Sequence, residues 1–103
     1  MTQNVVETVS FKLANSVTTT QFLNIARSSE TFVRAQPGFL SRHLCCGSDG
    51  RWTDTVIWSD MATAQAAAAA FPQQEFAALM MSAIAPETVA MRHDELHWSM
   101  AAA

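Results

Sequence analysis

Three side chains combine proton-transfer chemistry with an apolar setting: Glu7, His43 and Asp54. Glu7 has the parity of Val5, Val9 and Phe11 in an alternating run. Asp54 belongs to Arg51-Trp52-Thr53-Asp54-Thr55-Val56-Ile57-Trp58, where strand alternation puts Trp52, Asp54, Val56 and Trp58 on one face. His43 shares a face with Phe39, Ser41 and Cys45. A carboxylate among large apolar groups requires a polar partner or a wet cavity, because burying it alone is costly. If these faces line one cavity, Glu7, His43 and Asp54 form an acid–base group. A histidine held by a carboxylate then shuttles a proton on an enolisable or phenolic compound. Trp52 and Trp58 would wall the compound in. The plainer alternative is a hydrogen-bonded polar cluster that sets strand register.

A second polar concentration is Arg92-His93-Asp94-Glu95-Leu96-His97-Trp98. In extended backbone His93, Glu95 and His97 share a face and offer two imidazoles and a carboxylate, a set that zinc and iron use. An exposed or interfacial histidine pair is the simpler reading, so no metal and no cofactor are expected. Cys45 and Cys46 are adjacent, and on a strand they point oppositely, so a bond between them needs a strained turn. Two buried thiols in a reducing compartment are expected. A nucleophilic role for Cys45 beside His43 would need a thiolate-stabilising cation or helix start.

These groups must be positioned by a short series of elements. Val5, Val9, Phe11 and Leu13 alternate with polar residues and predict a first strand. Thr18 and Gln21 form a capping box, and Phe22, Ile25, Ala26, Ser29, Phe32 and Val33 continue as one helical face to Pro37-Gly38. Phe39–Gly47 and Arg51–Trp58 read as a hairpin turned by Ser48-Asp49-Gly50. Ser59 or Asp60 starts a helix through Ala66–Ala70 to Phe71, Pro72 interrupts it, and Phe76, Leu79, Met80, Ala83 and Ile84 resume a helical stripe. Thr88–Met100 is mostly extended, with a register break near Asp94.

The order β-α-β-β-α-β predicts an α+β, ferredoxin-like domain over residues 1–103, a four-stranded antiparallel sheet with both helices on one face. Strand residues of both parities include tryptophan and valine, so the second sheet face also needs cover. A second copy is the economical cover in 103 residues, and a homodimer is expected.

A net charge of −3 with scattered charges provides no basic stripe for nucleic acid. The longest alanine block, Ala66–Ala70, is far below the roughly 20 residues of a membrane span. The N-terminal stretch lacks the pattern of a signal peptide. A cytoplasmic protein with a small-molecule ligand is expected, with neither nucleic acid nor membrane as partner.

Over nearly its whole length the chain resembles the dimeric α/β-barrel superfamily, within it the antibiotic-biosynthesis-monooxygenase-like group. The resemblance lies in the element order, in Pro37-Gly38-Phe39 leading into the second strand, in Trp52 to Asp60 leading into the next helix, and in Phe76-Ala77-Ala78 after the proline break. It implies a dimeric barrel and an activity among monooxygenation, haem degradation, isomerisation and decarboxylation, or none. Haem-degrading members carry an asparagine on the first strand, a tryptophan within the second main helix and a histidine after it. Here those places hold Glu7, the alanines 66–70 and the neighbourhood of Met80. Members that oxidise aromatic polyketides without a cofactor use tyrosine, tryptophan, asparagine and arginine. This chain has no tyrosine, and Asn4, Asn15 and Asn24 lie outside the third strand.

Two expectations follow. One is a cofactor-independent monooxygenase or related acid–base enzyme on an aromatic or enolisable substrate, with His43, Glu7 and Asp54 in the chemistry and Trp52 and Trp58 against the substrate. The other is a dimer of the same fold that holds a metabolite, or only itself, without catalysis.

Overall fold

The computed structural model describes residues 3–103. Strand β1 (Val5–Phe11) is followed by α1 (Thr19–Arg27) and α2 (Glu30–Ala35). The hairpin of β2 (Phe39–Cys46) and β3 (Trp52–Trp58) leads to α3 (Met61–Ala70), a 3-10 turn at Phe71–Gln73 and α4 (Glu75–Ser82). A second 3-10 turn at Pro86–Thr88 feeds β4 (Ala90–Glu95). The sheet is antiparallel in the order β2-β3-β1-β4, the ferredoxin-like arrangement expected from the sequence. Among the described residues no helix is long and apolar enough to cross a membrane.

Local chemistry accounts for the boundaries. Thr18 Oγ1 accepts from the Gln21 backbone N–H (3.1 Å), and Gln21 Oε1 accepts from the Thr18 N–H (2.8 Å), closing the capping box. The single helix expected from Thr18 to Pro37 is instead two. The hydroxyls of Ser28 and Ser29 donate back to the carbonyls of Ile25 and Ala26, competing with the helical ladder. Asp60 caps α3 by accepting from the Thr63 N–H at 2.8 Å. Gly38 has φ of 82°, and a Cβ there would overlap the side chains of Ser59 and Thr63. Its carbonyl accepts from the Ser59 N–H (2.8 Å), so the entry to β2 lies flat against the start of α3.

All helices lie on one face of the sheet. Two buried clusters hold them there. Val5, Val33, Val56, Trp58, Ala64 and Ala67 form one, and Phe11, Phe22, Trp52 and Ala83 form the other. Alanines on α3 permit close approach to the sheet without filling the space between the clusters. On α4 the buried residues are Ala77 and Met80, while Leu79 of the expected stripe is exposed. The extended C-terminal segment is shorter than expected, since β4 ends at Glu95.

Both strand tryptophans lie beneath the helices, which corrects the expectation that tryptophan also marks the second face. By strand alternation that open face carries Val6 and Ile57 among Thr8, Ser10, Thr53 and Thr55. Cys45 and Cys46 are free and exposed, not buried, because they end an edge strand beside the hairpin turn.

Candidate functional site

The register creates one polar row across the helix-covered face. Arg42 on β2 pairs with Val56 on β3, Val56 with Glu7 on β1, and Glu7 with His93 on β4. The adjacent row is Leu44, Asp54, Val9 and Met91. From its row Arg42 reaches diagonally to Asp54. Its Nε donates to Oδ1 at 3.0 Å and its Nη2 to Oδ2 at 2.7 Å, a bidentate pair. The guanidinium also donates through Nη1 to Ser29 Oγ (2.8 Å), and Ser29 is fully buried at the break between α1 and α2. The helix break therefore supplies the acceptor that completes the Arg42 cradle.

On the other side of Val56, His93 Nε2 and Glu7 Oε2 share a hydrogen bond of 2.7 Å. Glu7 is buried and His93 only partly so, which leaves the imidazole between the carboxylate and solvent.

A cavity of about 260 Å³ lies between the two core clusters, bounded by the sheet and all four helices. Its ionisable lining residues are Glu7, Arg42 and Asp54; aromatic and aliphatic side chains form the rest. Phe32 and Phe71 form part of the roof, backed by Phe76, with ring centroids 5.0–6.0 Å apart. Met81, Val89 and Met91 line the cavity yet are largely exposed, which marks its apolar mouth. Since a cavity of about 150 Å³ takes one benzene ring, this one has room for roughly two fused rings.

Trp58 is also in the wall and is 2% exposed. Among the described residues, its Nε1 is the one buried side-chain polar atom without a hydrogen-bond partner. Buried donors are nearly always paired, so this N–H is an uncommon feature of the core beside the cavity.

The expected trio is divided by the sheet. Glu7 and Asp54 face the cavity, whereas His43 pairs with Thr55 and points from the open face into solvent. Each carboxylate has another partner: His93 for Glu7 and Arg42 for Asp54. Of the tryptophans, Trp58 lines the cavity, but Trp52 packs edge-on against Phe22 within the core, ring centroids 5.1 Å apart. His93, Glu95 and His97 do not converge. His93 is engaged by Glu7, and the exposed His97 lies 3.7 Å from Glu95. Among the described residues no group of three or more metal-ligating side chains forms. The residues missed from the sequence are Arg42, Ser29 and, as a partner of Glu7, His93.

No protein-family model and no curated protein matches the sequence. Solved structures do match its shape. SnoaB, a cofactor-independent oxygenase from Streptomyces nogalater, superposes with a TM-score of 0.77 at 16% identity, over 95% of this chain and 97% of that one. A monooxygenase from the gene ActVA-Orf6 of Streptomyces coelicolor, in complex with nanaomycin D, gives 0.74 at 17% identity over 98% and 94%. A Bordetella bronchiseptica protein provisionally described as an antibiotic biosynthesis monooxygenase gives 0.75 at 16% identity over 93% and 99%. The fold is that of the antibiotic-biosynthesis-monooxygenase-like proteins. The cavity between the sheet and helices of this chain carries the Arg42–Asp54 pair and Glu7, which His93 backs from outside the lining.

Proposed function

We propose that this protein is a small-molecule enzyme that abstracts a proton from an aromatic or enolisable compound held in the cavity, as a cofactor-independent monooxygenase or a related acid–base catalyst. The observation that carries the reading is the Glu7 carboxylate, set in an apolar cavity wall and backed by the partly exposed His93. In this reading Glu7 accepts the proton from an acidic C–H or phenolic O–H, and His93 passes it to solvent. Trp58 contributes its ring to the apolar wall against which the compound is seated. The resulting carbanion, or the ring carbon of the phenolate, then gives two electrons to dioxygen and forms a C–O bond; the hydroperoxide, once protonated, loses water and leaves one oxygen as a carbonyl. Alternatively the carbanion is reprotonated at another carbon to give an isomer. The fold shared with a cofactor-independent oxygenase supports the first outcome. His43 stays outside this chemistry, and its face is proposed to meet a second copy of the chain.

The test uses 2-tetralone, a bicyclic enolisable ketone of the size the cavity admits. Exchange of its acidic hydrogens for deuterium, followed by NMR, should be faster with the protein than with buffer and should return to the buffer rate in Glu7→Gln. Binding without accelerated exchange would favour the second reading, a metabolite-binding module. That reading draws on the Arg42–Asp54–Ser29 cluster, whose polar groups are engaged with one another.

A further inference from the structure

We propose that the ligand carries a carboxylate, and that this group sits in a second hollow at the β2 edge while the apolar body occupies the cavity; the proposal rests on the cavity being a ligand site. The hollow has a volume of about 300 Å³ and lies between the edge strand and helices α1 and α2. It adjoins the cavity, because Ala26, Val33, Arg42 and Leu44 belong to the walls of both. A ring seated against Val33 and Leu44 would thus carry its substituent beside the Arg42 guanidinium.

The charge distribution selects the substituent. Three of the six cationic residues in a chain of net charge −3, Arg27, Arg34 and Arg42, line this hollow. Against them stand Glu30 in the lining, paired with Arg34 at 2.7 Å, and Asp54 behind Arg42. One positive charge is left over, which suits a monoanion. Arg42 has five N–H donors and spends three on Asp54 and Ser29, so two remain for an incoming acceptor. Among the described residues Arg27 makes a single long contact, of 3.5 Å to Asn24, and it is exposed, so its side chain can close over a bound anion. Arginine forks match carboxylate geometry, and a charge-assisted bond of this kind discriminates strongly against a neutral acceptor.

Two probes of the same shape test this, 2-naphthoate and its neutral isostere 2-naphthamide, titrated calorimetrically into the intact protein. Naphthoate should bind about tenfold more tightly at low salt. That preference should shrink as salt rises, since the groove is open to solvent. In Arg27→Gln, an exposed position whose replacement leaves the core untouched, the preference should fall below about threefold while naphthamide affinity is unchanged. Equal affinity for the two probes would overturn the carboxylate groove and leave the ligand cavity standing. An undiminished preference in Arg27→Gln would likewise overturn it. Failure of both probes to bind would remove the cavity reading together with the groove.

Discussion

Arg42 grips Asp54 with two parallel hydrogen bonds, 3.0 and 2.7 Å long, across the β2–β3 hairpin and directly beneath the serine break between α1 and α2. Both side chains are less than one-fifth exposed, so each relies on the other for compensation. Asp54→Ala leaves a guanidinium without its counter-ion and should destabilise the fold by about 2–4 kcal/mol in urea unfolding; Arg42→Met should cost a similar amount. Replacing both, as Arg42→Met with Asp54→Leu, removes the unpaired charge and should recover at least half of that loss. Additive losses in the double variant would show that the pair is not the stabilising unit.

Ala68 faces the cavity from α3, and its small side chain is part of why space remains there. Ala68→Leu should fill part of that space and weaken binding of a bicyclic aromatic such as 2-naphthol by at least about tenfold, with stability changed by less than about 1.5 kcal/mol. Calorimetric titration beside urea unfolding separates the two effects.

Gly38 combines a φ of 82° with a close approach to Ser59 and Thr63. Gly38→Ala should therefore cost about 1–3 kcal/mol, more than the usual effect of replacing a turn glycine. The loss should appear as a lowered urea midpoint with an unchanged slope.

Val6 and Ile57 lie on the sheet face that no helix covers. Sedimentation at micromolar concentration should give about twice the chain mass of 11.2 kDa. Ile57→Asp should shift that equilibrium toward the single chain. A wild-type protein that sediments as a single chain would remove the proposed dimer.

His43 is exposed on the same open face and hydrogen-bonds neither to Glu7 nor to Asp54. His43→Ala should leave deuterium exchange of 2-tetralone unchanged, whereas Glu7→Gln abolishes the acceleration. A matching loss in His43→Ala would return that residue to the chemistry.

Much of this molecule is written in local signals. The Thr18–Gln21 capping box, Pro37-Gly38, the Ser48-Asp49-Gly50 turn and the Pro72 interruption each act over a few residues, so the order of elements and the ferredoxin-like topology follow from them. Alternation along Trp52–Trp58 likewise assigns Asp54 and Trp58 to one face, and the need of a half-buried carboxylate for a partner follows from its neighbours alone. Even Arg42 was within reach. The turn pairs Cys46 with Trp52, so Leu44 and Arg42, not His43, must share the face of Asp54.

The pairing of Glu7 with His93 is a different matter, because the two are 86 residues apart and meet only through the β1–β4 ladder. The separation of Trp52 from Trp58 also depends on packing: Phe22 on α1 closes over the first, while α3 meets the second with alanines and leaves room beside it. Alternation gives each strand residue a face but not a depth or a neighbour on another element. The cavity, the unpartnered indole N–H and the arginine groove are products of how the helices seat on the sheet, and only the assembled tertiary structure decides them.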